Sequence, residues 1–182
     1  MQTEPEVAVL RLGHRPGRDE RITTHVGLTA RALGADRVIL AGQASSRADT
    51  VLDITDRFGG PFETETVESW RPIVRDWDGR VVHLTMYGLE VQEVEAEIRD
   101  AHQADRQPLL VVVGAEKVPF EVYEWADWNV AVTNQPHSEI ASLAVFLDRL
   151  FEGRELDREW EDAEKVVIPQ EVGKRVEAPA DE

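Results

Sequence analysis

The sequence predicts an α/β fold built on a mainly parallel sheet, and three observations carry that reading. Short apolar runs at 7–12, 37–41, 80–87, 109–113 and 128–132 have the length of strands, and those at 7–12 and 109–113 read as strands buried on both faces. Between them lie segments with apolar residues at helical spacing, such as Ile140, Leu143, Ala144 and Leu147. Several runs end at glycine (Gly13, Gly88, Gly114), where a backbone can turn sharply or approach a ligand. Strands alternating with helices imply a parallel sheet, and ligands of such sheets bind beyond the carboxyl ends of the strands.

Taken in order, the strand at 7–12 leads through a basic loop at 14–19 into a helix over 20–33, with Gly34 as its C-cap. A strand at 37–41 precedes a helix over 46–58 that closes at Gly59-Gly60. A short strand at 64–67 and a short amphipathic piece at 70–77 follow. The strand at 80–87 gives way to a helix over 91–102. The strand at 109–113, a short helix at 120–125, a strand at 128–132 and a strong amphipathic helix over 138–151 complete the pattern, with Ser138 placed to cap that last helix. Residues 1–152 read as one domain. Residues 153–182 read as a charged extension, partly disordered.

The chain has 182 residues, 42% of them hydrophobic, enough for a sizeable core. It has no cysteine, which excludes disulfides and thiolate chemistry. No apolar run is long enough to span a membrane, and the first residues lack a secretory pattern, so a cytoplasmic location is expected. Asp and Glu number 36 against 20 Lys and Arg, a formal net charge of −16, and the only lysines are Lys117, Lys165 and Lys174. Such a surface would repel phosphates in dilute buffer. It equally suits a cytoplasm of very high salt, where the Debye length falls to about 3 Å and long-range repulsion fades. Local arginine clusters then decide whether a polyanion binds.

Four segments carry possible chemistry. The strand at 109–113 runs into Gly114 and Ala115, then Glu116, Lys117, Val118 and Pro119. This is neither a P-loop nor a GxGxxG turn, and taken alone it also fits a tight turn with a solvated ion pair. The strand at 128–132 runs into Thr133, Asn134, Gln135, Pro136, His137 and Ser138, a loop dense in neutral hydrogen-bonding groups that suit an adenine edge or a ribose. Two such loops at one sheet edge form one pocket. The loop after the first strand gathers Arg11, Arg15, Arg18 and Arg21, a candidate phosphate patch held by the Pro16-Gly17 turn; the alternative is a solvated loop paired with Asp19 and Glu20. His14 and His25 belong to no cluster with metal spacing, so no metal is expected. The strand ending at Gly88 is a third possible pocket wall.

In this order the segments LRLGHRPGRDERITTHVGLTARALGA, HLTMYG, VVGAEKVPFEVYEWADWNVAV and NQPHSEIASLAVFLDRL resemble the archaeal tRNA (cytidine(56)-2′-O)-methyltransferase family of the SPOUT superfamily. The resemblance covers the chain to about Glu152. It implies a SPOUT-type parallel sheet flanked by helices, with a C-terminal deep trefoil knot that periodicity alone would not reveal. It implies S-adenosyl-L-methionine as cofactor, a tRNA substrate methylated in its T-loop, a homodimer and no metal. Matched to the family's motifs, Leu84, Gly114 to Val118, Val132 and Thr133 to Glu139 line the cofactor site. Thr133 departs from the pattern, which has glycine there. The same resemblance implies a catalytic arginine from the N-terminal motif that acts across the dimer: Arg21 first, then Arg18, with Arg31 as a further candidate, and Arg11, Arg15 and Arg18 as RNA contacts. Two alternatives stay open: a SPOUT enzyme acting on another RNA such as rRNA, and a tRNA-binding module without catalysis. The missing glycine-rich phosphate loop counts against a generic nucleotide-binding enzyme.

Overall fold

The computed structural model describes residues 4–15, 17–114 and 117–179. Six strands form one parallel sheet: β1 (Val7–Leu12), β2 (Arg37–Ala41), β3 (Glu63–Val67), β4 (Arg80–Glu90), β5 (Leu109–Gly114) and β6 (Trp128–Ala131), in the spatial order β3-β2-β1-β5-β4-β6. Every residue of β1 is buried, and so are Leu109 to Val113 of β5, as expected for central strands covered on both faces.

The helices are α1 (Glu20–Ala32), α2 (Ala48–Phe58), α3 (Arg71–Arg75), α4 (Val91–Arg99), α5 (Phe120–Trp125) and α6 (Glu139–Phe151). Side chains alternate between the two faces of each strand. Val7 and Val9 therefore pack with Val26 of α1, Val51 of α2, Ile98 of α4 and Leu147 of α6. Ala8, Leu10 and Leu12 instead meet Val74 of α3 and Val122 of α5. The result is three layers, with the long helices on one face and two short ones on the other.

Three departures from the sequence reading have local causes. The helix expected over 46–58 begins at Ala48, because Gly42–Arg47 forms a tighter 3-10 turn. The helix expected over 91–102 is regular only to Arg99 and widens into a π-turn over Asp100–Ala104. The strand expected to stop at Tyr87 continues to Glu90 through an irregularity. Leu84 and Leu89 both pair with Val130, so residues 85–88 bulge out of the ladder.

The segment after Gly153, expected to be a partly disordered extension, makes defined contacts. It forms an antiparallel hairpin of β7 (Val166–Ile168) and β8 (Arg175–Glu177). Ahead of it, the Trp160 ring lies under the Arg31 guanidinium, 4.3 Å away. The Gly60 N–H donates to the Glu161 carbonyl at 2.7 Å. Gly59 has φ +81°, and a Cβ there would stand 2.3 Å from the Glu161 carbonyl oxygen, so glycine is required where the tail docks. Trp160→Ala is expected to destabilise the chain by about 2 kcal/mol and to speed proteolysis after Gly153; equal urea midpoints and equal cleavage rates would show that the tail is not held this way.

Candidate functional site

The chain leaves β1 toward β2 on one side, and leaves β5 toward β6 on the other. The carboxyl ends of β1 and β5 thus flank a topological switch point, the place where parallel sheets bind ligands. Leu12 pairs with Gly114 in register, so both strands run out at one level.

The first wall of the crevice follows β5. A Cβ on Gly114 would lie 2.2 Å from Val118 Cγ2, so the Val118 side chain packs over the Gly114 backbone and glycine permits it. Lys117 is exposed and Val118 half-buried. Ala115 and Glu116 lie outside the described residues, as does Pro16 of the basic loop.

The second wall follows β6. Val132 is half-buried, and Thr133, Asn134, Gln135, Pro136, His137 and Ser138 are exposed. Asn134 Nδ2 donates to the carbonyls of Met86 (2.7 Å) and Gly88 (3.0 Å). The loop is thereby clamped to the bulge in β4, whose carbonyls are free because they have left the ladder. A Cβ on Gly88 would stand 2.4 Å from Asn129 backbone atoms, which fixes glycine there. Leu84, buried just before the bulge, adds an apolar surface. Ser138 caps α6 as expected: its Oγ accepts from the Ala141 N–H at 3.2 Å. Glu139 opens that helix.

The third wall is the basic loop. Arg15 donates from its backbone N–H, Nε and Nη2 to the Asp19 carboxylate, at 2.8, 3.0 and 3.0 Å. Asp19 is 2% exposed. The side-chain hydrogen bonds from Arg15 hold its carboxyl at about 2, below the ordinary 3.8, against the opposing effect of burial. His14 Nδ1 meets Thr23 Oγ1 at 2.9 Å, tying the loop to α1. Arg18 and Arg21 are exposed, with no ion pair among the described residues.

Two arginines do not sit where the sequence suggested. Arg11 is not part of a surface phosphate patch. It is fully buried on the α1/α6 face of β1, with Nη1 3.4 Å from Glu139 Oε1. The alternating strand pattern carried the sign of this, since the residue that follows Val7 and Val9 at period two enters the core, but by charge the arginine groups with its neighbours. Arg31 stands at the far end of α1, about 15 Å along the axis from Arg21. It is buried, donates to the Gly59 carbonyl and covers Trp160, so it does not reach the crevice. Asp19, Met86 and Gly88 organise the site without having been singled out as site residues; Gly88, closing a strand, and Asp19, a pairing partner for the basic loop, left a signal. Among the described residues no group of three or more His, Asp or Glu could hold a metal ion, and no helix is long and apolar enough to cross a membrane.

With this geometry in view, the similarities to known proteins can be placed. The profile of the family described as Trm56, tRNA ribose 2′-O-methyltransferase, matches residues 58–177. The chain is 72% identical over 182 residues, spanning all of both chains, to the tRNA (cytidine(56)-2′-O)-methyltransferase of Haloarcula marismortui. It is 70% identical to the enzyme of the same name from Natronomonas pharaonis, over 100% of this chain and 99% of that one. In fold it is similar to the SpoU methyltransferase AviRb from Streptomyces viridochromogenes, solved in complex with AdoMet: TM-score 0.57 and 18% identity, over 85% of this chain and 60% of that one.

The depressed carboxyl of Asp19 makes its contribution pH-dependent. Stability from its pairing is present above about pH 4 and is lost as pH falls toward 2. Asp19→Asn is expected to cost about 2 kcal/mol at pH 7 and to flatten the acid limb of a urea-midpoint profile between pH 4 and 2. An unchanged acid limb would contradict the pairing.

Proposed function

The chain belongs to the Trm56 family of tRNA ribose 2′-O-methyltransferases, and from that premise we propose that the crevice between β1 and β5 transfers a methyl group to the 2′-hydroxyl of cytidine 56 in the T-loop of tRNA. The observation that carries the reading is the meeting, at one switch point, of a loop rich in neutral hydrogen-bonding groups and a loop with two exposed arginines.

The residues present fit S-adenosyl-L-methionine. Leu84, Val118 and Val132 offer apolar surface for a flat base, with Val118 packed over Gly114 at the end of β5. The exposed side chains from Thr133 to Ser138 offer neutral donors and acceptors for a base edge, and Glu139 offers a carboxylate for hydroxyl or ammonium groups. When bound, this cofactor supplies a methyl group already activated on a sulfonium, so the protein's task is positioning and proton handling.

Arg21 and Arg18 are the catalytic candidates. A guanidinium keeps its proton near neutral pH. Its work is to orient the ribose hydroxyl and to grip the neighbouring phosphate in a fork, with a phosphate oxygen accepting the hydroxyl proton. Arg15, folded back onto Asp19, holds the loop that presents them, and Arg15 and Arg18 remain RNA contacts in this reading. Arg11 does not.

The same reading includes a C-terminal deep trefoil knot, a cytoplasmic enzyme and a homodimer in which the arginine of one copy serves the partner's cofactor. Support for the dimer is the apolar surface of Tyr87, Leu89 and Phe120, which are 77%, 61% and 71% exposed beside the site.

The test is methyl transfer from labelled S-adenosyl-L-methionine to an unmodified tRNA transcript in molar KCl, with the product nucleotide mapped. A 2′-O-methylcytidine in the T-loop is expected. Methylation elsewhere would overturn the substrate, and no transfer would overturn the activity. Arg21→Ala and Arg18→Ala are each expected to lower kcat about 100-fold; normal rates for both would remove these arginines from the mechanism.

A further inference from the structure

We infer that Arg11 is a positioning residue for the methyl transfer: from inside the core it holds the arginine loop and the cofactor loop in fixed register. The inference rests on the function proposed above.

Arg11 is 0% exposed, the largest fully buried side chain among the described residues. Its Nη1 makes one contact, to Glu139 Oε1 at 3.4 Å. Its Nε and Nη2 have no hydrogen-bond partner. A buried guanidinium so sparsely satisfied is costly, and an apolar side chain of the same length would pack at least as well. Packing therefore does not account for the charge. What the charge reaches does. On one side is Glu139, the first residue of α6, joined to Arg11 across 128 positions of sequence. On the other is the basic loop itself, which leaves β1 just after Arg11 and is anchored where Arg15 meets Asp19. One buried cation thus stands at the root of the basic loop and pairs with the carboxylate that opens α6.

A tRNA phosphate does not reach a guanidinium with no exposed surface, so Arg11 acts through Glu139. Glu139 is 29% exposed at its side chain, and in the proposed function it offers its carboxylate to the cofactor. Arg11 sets the direction in which that carboxylate points. It also sets the spacing between the cofactor loop and the start of α1, where Arg18 and Arg21 stand. In-line transfer between two bound reactants tolerates little misplacement: an error of about 1 Å costs on the order of 100-fold in rate.

The test compares wild-type chain, Arg11→Met, Glu139→Gln and the double variant in molar KCl. Four quantities are read: urea stability, kcat and KM for S-adenosyl-L-methionine with a tRNA transcript, and tRNA affinity against salt. Arg11→Met is expected to fold with undiminished stability and to lose about 100-fold in kcat, with tRNA affinity and its salt slope unchanged. Glu139→Gln is expected to lose a similar factor, and the double variant no more than the worse single one. A normal kcat in Arg11→Met would overturn the inference and leave a purely structural residue. Weakened tRNA binding with a salt slope reduced by about one would also overturn it, by making Arg11 a phosphate contact. If Arg11→Met does not fold, a normal kcat in Glu139→Gln overturns it alone. A wild-type chain that makes no 2′-O-methylcytidine fails the proposed function itself, whereas an active wild type with an active Arg11→Met fails only this inference.

Discussion

The in-register pairing of β1 with β5 is the constraint on which the site depends. Six consecutive pairs, from Val7 with Leu109 to Leu12 with Gly114, bring both central strands to the same level before the chain departs in opposite directions. Every wall of the crevice follows from that. A slip of one residue in β1 would exchange its faces: Arg11 would leave Glu139 for the cluster of Leu10 and Val112, and the basic loop would begin one residue out of place. The buried apolar surface of both strands makes that slip expensive, so the chemistry is positioned by the most hydrophobic part of the fold.

Charge operates on two scales. The net charge of −16 belongs to the whole surface, and most arginines are engaged within it. Arg37 pairs with Glu6 and Glu65, Arg71 with Glu121, Arg80 with Asp127, and Arg149 with Glu95. Exposed pairs of this kind contribute little stability individually. They do leave Arg18 and Arg21 as exposed cations beside the crevice, uncommitted to any described partner. In concentrated salt the distant carboxylates are screened, and an RNA backbone at the crevice meets the local arginines rather than the global field.

Much of the fold was legible in the sequence because a strand covered on both faces must be apolar throughout and a helix on a sheet must be amphipathic. β1 and β2 occur at the residues the pattern gave, and the α6 cap was readable in Ser138. Features that depend on a partner distant in sequence were not. The bulge in β4 exists because Asn134, 46 and 48 positions away, takes the carbonyls it releases. Trp160 looks like a tail residue until Arg31 covers it. The loop after β6 was singled out by its composition, neutral polar groups after a strand, whereas the assignment of it and of the loop after β5 to a cofactor came from the family resemblance. The burial of Arg11 was not drawn, although its place two residues after Val9 puts it on the core face, because the carboxylate that meets it comes from the far end of the chain and its charge grouped it with the loop arginines.

The claim that the cofactor lies where the loops after β5 and β6 meet the bulge of β4 can be measured by amide hydrogen exchange with and without S-adenosyl-L-methionine in molar KCl. Slowed exchange confined to residues 85–88, 117–119 and 132–141 is the result this account gives, with the opposite edge of the sheet unchanged. That opposite edge holds a cavity of about 360 Å³ lined by residues including Asp36, Phe151 and Glu155. Protection there, with the three loops exchanging as before, would contradict the account and move the cofactor to the other end of the sheet.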